Sequence, residues 1–348
     1  MYKPQYIISN TILRQIGIIE ACREVIDHAP LLPYYEKKFQ SDALVRSIHH
    51  GTHIEGNELN FSQAERVVLG QQIIARERDI QEVINYRKVM EYLDELDISS
   101  SDISEDLLCY LHQLTVHKIL PEELSGKVRG SQVVVKNSKT GEVSFRPPTA
   151  EQIKTSISDF IAFIKSPDSK DIHPILKSGI AHYELVRIHP FVDGNGRVAR
   201  ALSTMILHQE GYDIRRFFSL EEYYDNDASE YYKALQSVSL SQGDLTAWLE
   251  YFTKGLMIEL MKIKEQVEHV SVDAKIKQKL GGKPLMLSDR QLKIIEYIQK
   301  IGYLENKGFK SLFPMVSEDT VLNELKELVK HGVVKKQGVT KAAKYVMS

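Results

Sequence analysis

At 348 residues, with 43% hydrophobic and 26% charged side chains, the chain has room for two or three domains and the composition of a folded globular protein. A formal net charge of -2 excludes a uniformly basic, nucleic-acid-coating protein, although it can average over a local asymmetry. No apolar run approaches the roughly 20 residues of a membrane span, residues 1–10 lack a basic stretch followed by an apolar one, and Cys22 and Cys109 sit in apolar helical patterns that suit buried free thiols, so the expected setting is cytoplasmic with no membrane partner.

In chain order, residues 9–96 read as several helices, with Ile12, Ile16 and Ile19, and later Val83, Ile84, Val89, Tyr92 and Leu93, at helical spacing. A helix starting near Ser41 carries Leu44, Val45 and Ile48 on one face. Glu55, seven residues after Ile48, falls near that buried side before Gly56 ends the helix. A carboxylate in a last turn meets the negative end of the helix dipole, and one that points inward needs a cation; Arg197 or Arg200 is the candidate, the alternative being a solvated helix end. His49 and His53 have the four-residue spacing of a metal pair, but no third ligand has a matching spacing, so these and His50 are read as surface histidines.

The next block, residues 101–255, opens with a helix expected over 105–119. Residues 126–148 leave the helical period: Gln132-Val133-Val134-Val135 and Val143-Ser144-Phe145 are β-type runs around Asn137-Ser138-Lys139-Thr140-Gly141, which predicts a β-hairpin. Proline cannot donate to a ladder, so Arg146-Pro147-Pro148 stops the second strand, and Thr149 caps a helix starting near Ala150. A lone hairpin in a helical block suggests a flap.

The segment from His189 to Arg200 then packs a base, a carboxylate, a Gly-Asn-Gly turn and two arginines into one stretch. Gly194 and Gly196 around Asn195 allow backbone N–H groups to converge on an anion, and Val198, Leu202, Met205, Ile206 and Leu207 predict a helix whose N-terminus adds its dipole. Arg197 and Arg200, three apart, present forked donors to successive phosphates. Asp193 suits Mg²⁺, which commonly binds through one or two carboxylates plus substrate phosphates, and His189 has the ordinary pKa of a base at neutral pH.

Residues 254–283 read as a polar helix ending at the break Gly281-Gly282-Lys283-Pro284. Beyond it come three helices (289–300, 306–313, 318–331) and a hairpin (333–336, 343–347), with Ser288 and Ser317 as N-caps and Gly332 as a stop. This resembles a winged helix-turn-helix. Lys326, Lys330, Lys335, Lys336, Lys341 and Lys344 suit a phosphate backbone, but Glu318, Asp319, Glu324 and Glu327 dilute that face and no arginine stands there to read bases, so DNA and protein contact are both open.

The stretch from His189 to Arg200 resembles the Fic family pattern HPFx(D/E)GNGRxxR at every specified position. The resemblance implies a mainly α fold: a Fic helical core with a β-hairpin flap, joined to the C-terminal winged-helix domain. The domain plan is then 1–100 for an N-terminal helical region, 101–255 for the catalytic core, 256–283 for a helical linker and 284–348 for the winged helix. It further implies a protein adenylyltransferase that moves AMP from ATP to a Ser, Thr or Tyr hydroxyl of a target protein or of itself. In that reading His189 is the base, Asp193 holds Mg²⁺, and Gly194, Asn195, Gly196, Arg197 and Arg200 bind the phosphates of ATP. Val133, Val134, Val135 and Lys136 align the target by strand-type pairing. Tyr231 and Tyr232 face the nucleotide base, although either serves equally as core. Glu55-Gly56 resembles the end of the inhibitory pattern (S/T)xxxE(G/N), with Gly51 where the pattern has a hydroxyl and Thr52 one residue later, so Glu55 is expected to inhibit by pairing with Arg200. Homodimers are a further implication. The alternatives are AMP removal or another nucleotide transfer at the same site, and a DNA-binding regulator with a nucleotide-sensing core.

Overall fold

The computed structural model describes residues 2–31, 33–96, 102–136, 143–212, 214–271, 287–314, 316–338 and 343–348. The expected hairpin tip at 137–141, the glycine break at 281–284 and Lys341 lie outside them. The chain divides into two compact units, Met1–Glu24 with Gln40–Lys262, and Val25–Phe39 with Ile263–Ser348.

The first unit is almost wholly helical. Its N-terminal part contains most of α1 (Asn10–Asp27), α2 (Pro33–His53) from Gln40 on, α3 (Phe61–Val68) and α4 (Glu77–Glu95). α2 starts eight residues ahead of the expected Ser41, because the polar and aromatic run from Pro33 to Gln40 hides the helical period while Pro33 and Glu36 suit a first turn. α5 (Glu105–Val116) is capped by Ser104 and stops short of residue 119, since Lys118 turns into the left-handed region at φ 59°.

The hairpin is β1 (Val135–Lys136) antiparallel to β2 (Val143–Phe145), so Val133 and Val134 precede the strand rather than lie in it. Thr149 and Gln152 form a capping box for α6 (Ala150–Ile164), and the one-turn α7 (Pro167–Lys170) leads to the central pair, α8 (Pro174–Ile188) and α9 (Asn195–Gln209). α8 is buried nearly all round. Ser178 Oγ donates to the Ser203 carbonyl at 2.8 Å across α8 and α9. On its other side, α8 meets α12 (Thr246–Val270), whose Trp248 Nε1 donates to the Gly179 carbonyl at 2.8 Å. α10 (Leu220–Asn226) and α11 (Ala228–Leu240) complete the unit. α12 runs unbroken through residue 255. Fixing α8 and α9 in this way fixes the loop between them, residues 189–194.

In the second unit, α13 (Asp289–Ile301), α14 (Phe309–Leu312) and α15 (Glu318–Lys330) surround a core that includes Ile294, Ile298, Phe309, Val321, Leu325 and Leu328, with Tyr35 packed against it. The sheet has order β3-β5-β4, formed by Leu304–Glu305, Lys344–Met347 and Val334–Gln337, all antiparallel. The strand at Leu304 is additional to the expected hairpin. Two residues are too short for a period, yet Leu304 is fully buried and pairs with Tyr345. The expected helix over 306–313 is a 3₁₀ turn, Asn306–Gly308, followed by α14.

Candidate active site

The loop between α8 and α9 is held from several sides. His189 closes α8 with φ 50° and ψ 59°, an unusual conformation for a non-glycine residue. Its Nδ1 donates to the Val186 carbonyl at 3.2 Å, so in the neutral ring Nε2 carries the lone pair. Burial lowers the His189 pKa below its ordinary value, more than the Val186 contact and the charges of Glu55 and Asp193 raise it. The imidazole is therefore neutral and basic at neutral pH.

The Asn195 side chain takes a role in the loop itself. Its Oδ1 accepts from Phe191 N and its Nδ2 donates to the Phe191 carbonyl, both at 2.9 Å. The carbonyl and one N–H of the amide expected to face phosphate are thus spent on the loop backbone. Phe191 in turn stacks on His112 with ring centroids 4.0 Å apart. Gly126 N donates to His112 Nδ1 at 3.0 Å, so Nε2 is the donor to the Asp193 carbonyl at 3.1 Å. Burial pushes the His112 pKa down to about 4, which keeps that tautomer uncharged.

At the start of α9, Gly194 adopts φ 76°, the left-handed conformation that opens the turn. Gly196 lets the chain come close: a Cβ there would meet Glu55 Oε1 and push that carboxylate aside. The Glu55 carboxylate thus lies against the first turn of α9, where the helix dipole favours an anion. Arg200 Nη2 donates to Glu55 Oε1 at 2.9 Å and to the Gly51 carbonyl at 2.8 Å. Burial alone would lower the Arg200 pKa, but Glu55, the phenols of Tyr231 and Tyr86, and Glu221 outweigh it and keep the guanidinium charged. Arg200 Nε and Nη1, and Arg197 Nε and Nη1, are buried without a hydrogen-bond acceptor. Buried donors left this way are costly unless an incoming acceptor completes them.

Gly51 also has a packing reason. A Cβ on it would run into the ring of Tyr86 on α4, whose hydroxyl donates to Glu221 at 3.1 Å. Thr52 does not replace the missing hydroxyl, because its Oγ1 bonds back to the carbonyls of Ile48 and His49.

Asp193 keeps 39% of its side-chain surface exposed. Its Oδ1 accepts from Gly194 N at 2.6 Å and its Oδ2 from Arg78 Nη2 at 3.2 Å. Glu82 lies between the same partners, accepting from Arg78 Nε at 3.1 Å, from Asn57 Nδ2 at 3.0 Å, and facing Arg197 Nη1 at 3.7 Å. Among the described residues no group of three or more His, Cys, Asp or Glu is placed to hold a metal. One exposed carboxylate beside an anion site fits a magnesium ion shared with substrate phosphates rather than an all-protein cage.

The two tyrosines of α11 part company. Tyr231 is buried and its hydroxyl meets His182 Nε2 at 2.8 Å, so it is core beneath Arg200 rather than a base platform. Tyr232 leaves 41% of its surface exposed and donates its hydroxyl to the Ile54 carbonyl at 3.3 Å. Adjacent helical residues point about 100° apart, so only one of them can face the site. Val133, Val134 and Val135 are half-buried at the base of the flap. The histidines of α2 are not surface groups as a set. His49 is buried and bonds the Leu59 carbonyl at 3.2 Å, while His50 Nδ1 and His53 Nδ1 donate to Asp225 of α10 at 2.7 and 2.8 Å.

Arg129 was not marked by the sequence. It is buried, and its guanidinium donates to the carbonyls of His189 at 2.8 Å, Ser131 at 2.7 Å and Pro148 at 2.8 Å, while Arg129 N donates to the Pro190 carbonyl at 2.9 Å. The loop between α8 and α9 and both ends of the flap segment are therefore tied by one side chain. The only signal was an arginine just ahead of β-type residues, which is too common to single out.

Residues 102–207 match the Fic/DOC family. The chain is 30% identical over 194 residues to "Protein adenylyltransferase Fic" of Nematostella vectensis, covering 54% of this chain and 44% of that one. It is 29% identical over 211 residues to "Protein adenylyltransferase fic-1" of Caenorhabditis elegans, covering 60% and 38%. The chain thus spans less than half the length of these curated relatives. In fold it is similar to a Fic family protein from Desulfovibrio desulfuricans, with TM-score 0.70 at 22% identity over 100% of this chain and 98% of that one. It is also similar to C. elegans Fic-1, with TM-score 0.63 at 23% identity over 74% and 73%. No described helix is long and apolar enough to cross a membrane.

Proposed function

We propose that this chain, which carries a Fic/DOC domain over residues 102–207, is a protein adenylyltransferase held in check by Glu55. The observation that carries the reading is the meeting of a neutral His189, the N-terminus of α9 and the buried Arg200 around one anion, which the chain itself now supplies through Glu55, with the spare donors of Arg197 buried on the same helix.

In the reaction His189 Nε2 removes the proton of a Ser, Thr or Tyr hydroxyl on the target. The freed oxygen attacks the α-phosphorus of ATP, the bond to the bridging oxygen of the β-phosphate breaks, and pyrophosphate leaves. The N-terminal N–H groups of α9 and the spare donors of Arg197 and Arg200 hold the β- and γ-phosphates and fix the in-line geometry. Asp193 is the carboxylate that would hold a magnesium ion, which would supply charge neutralisation at the phosphates. The flap offers the backbone of Val133, Val134, Val135 and Lys136 to an extended target segment, and Tyr232 is the tyrosine with exposed ring surface for the adenine side. Glu55 takes the partner that the γ-phosphate needs on Arg200, and so restrains the reaction.

The C-terminal unit we read as a winged helix-turn-helix, supported by its order of helix, strand, two helices and two strands.

Transfer of label from α-labelled ATP with Mg²⁺ to proteins of a cell extract tests the reading. Label made by Glu55→Gly and lost in Glu55→Gly with His189→Ala is the expected result. No label from any variant overturns it, and equal label from wild type and Glu55→Gly removes the inhibitory part.

A further inference from the structure

Asp193 offers two oxygens, and they are not equivalent. Oδ1 is turned inward, taken by Gly194 N at 2.6 Å and faced by Arg197 Nη2 at 3.8 Å. Oδ2 is the remaining oxygen, and a guanidinium from outside the matched family segment already meets it: Arg78 of α4, with Nη2 at 3.2 Å. Arg78 is positioned for this by Glu82 one turn later, which holds its Nε at 3.1 Å and leaves Nη2 aimed at the loop.

A divalent cation and a guanidinium cannot share one carboxylate oxygen at contact distance without strong like-charge repulsion. We infer that Arg78 is a built-in cationic competitor for the Asp193 seat and must leave Oδ2 before a divalent ion binds there. Three features make it suited to that role. Its side chain is 59% exposed, so it has solvent to swing into. Glu82 keeps Arg197 and Asn57 as partners when Arg78 leaves. An exposed ion pair is weak enough to yield to a dication bridged to phosphate. The consequence is that α4, which also carries Tyr86 and Glu82, sets how much metal the site demands, separately from Glu55. The inference rests on Asp193 being the metal contact of the proposed reaction.

The test is binding rather than turnover. The affinity of the full chain for the nonhydrolysable analogue α,β-methylene-ATP is measured by calorimetry with Mn²⁺ and again with EDTA, and the ratio of the two constants gives the contribution of the metal. Arg78→Ala is expected to raise that ratio roughly two- to five-fold, the range set by removing an exposed ion pair, with Arg78→Lys between it and wild type. Asp193→Ala is expected to abolish the ratio in either background. An unchanged or smaller ratio in Arg78→Ala, with Asp193→Ala still abolishing it, overturns the competitor while leaving Asp193 as the metal contact. A ratio unaffected by Asp193→Ala overturns both. A purely structural tie between α4 and the loop would lower the melting temperature of Arg78→Ala without moving the ratio, and that result also overturns the inference.

Discussion

Arg200 and Glu55 are joined through a single guanidinium nitrogen, Nη2, which also binds the carbonyl of Gly51 at the start of the same turn. Arg200 therefore holds both the carboxylate and the backbone that delivers it, while its Nε and Nη1 remain free for another acceptor. A phosphate that displaces Glu55 keeps the buried guanidinium compensated, so opening the site exchanges one anion for another instead of exposing a bare charge. The resistance to opening then comes from whatever else fixes the turn from Gly51 to Gly56.

Gly51→Ser restores the hydroxyl of the inhibitory pattern, yet it is expected to weaken the protein. The new Cβ meets the ring of Tyr86, which is fully buried and tethered to Glu221, so neither side has room to yield. Overpacking of this kind costs about 1–3 kcal/mol. Urea denaturation should show that loss, and labelling by Gly51→Ser should be no lower than by wild type. Equal stability with tighter inhibition would contradict the packing account.

Asp225 is the other anchor of the turn. It accepts hydrogen bonds from His50 and His53, and Tyr232 adds one to the Ile54 carbonyl. Burial would raise the Asp225 pKa, but the two histidines outweigh it and hold the carboxyl below its ordinary value. Asp225→Ala removes two hydrogen bonds of about 1 kcal/mol each, so transfer activity should rise roughly 5- to 30-fold, and add nothing on top of Glu55→Gly. Additive gains in the double variant would place Asp225 outside the inhibitory unit.

The residues assigned to the proposed chemistry could be picked out because His189 to Arg200 places them side by side, and local spacing is what a sequence displays. Glu55 was legible for a different reason, since an inward carboxylate at a helix end demands a cation. Arg78, Glu82, Arg129, His112 and Asp225 were not, because they are polar residues scattered over α4, α5, α10 and the segment before β1, and only the fold joins them to the site. Tyr231 and Tyr232 are not distinguishable in the sequence because the phase of α11 is hard to read from a helix with few buried residues. The strand at Leu304 escaped because two residues carry no alternation.

His182 and His112 are both fully buried, and burial is the first cause that depresses each, to about 3 and about 4. A histidine whose folded pKa lies below its unfolded value stabilises the protein above the unfolded pKa, and that contribution is lost as pH falls toward the folded one. Between pH 6.5 and 5 the unfolded chain takes up protons that the folded chain refuses, at about 2 kcal/mol for each of the two groups. The urea midpoint should therefore fall steeply over this range. His182→Gln, which can keep a hydrogen bond to Tyr231, should remove about 2 kcal/mol of that fall, the share of one such histidine. A pH-independent midpoint would mean that these rings are not neutral and buried in solution.

Arg129→Ala should separate the loop from the flap. Its loss leaves the carbonyls of His189, Ser131 and Pro148 without their donor. These carbonyls are only partly buried, so each lost hydrogen bond costs about 1 kcal/mol and thermal stability should drop. Arg129→Lys retains the charge but has no planar fork to reach three carbonyls at once, and is expected to recover part of the stability and little of the rate. With His189 no longer fixed at its carbonyl, labelling in the Glu55→Gly background should fall roughly 10- to 100-fold, the scale set by small misplacement of a reacting group. Nucleotide binding should change far less, because Arg197, Arg200 and the first turn of α9 are untouched. Full activity in Arg129→Lys would show that charge near the loop matters and that the three-way tie does not.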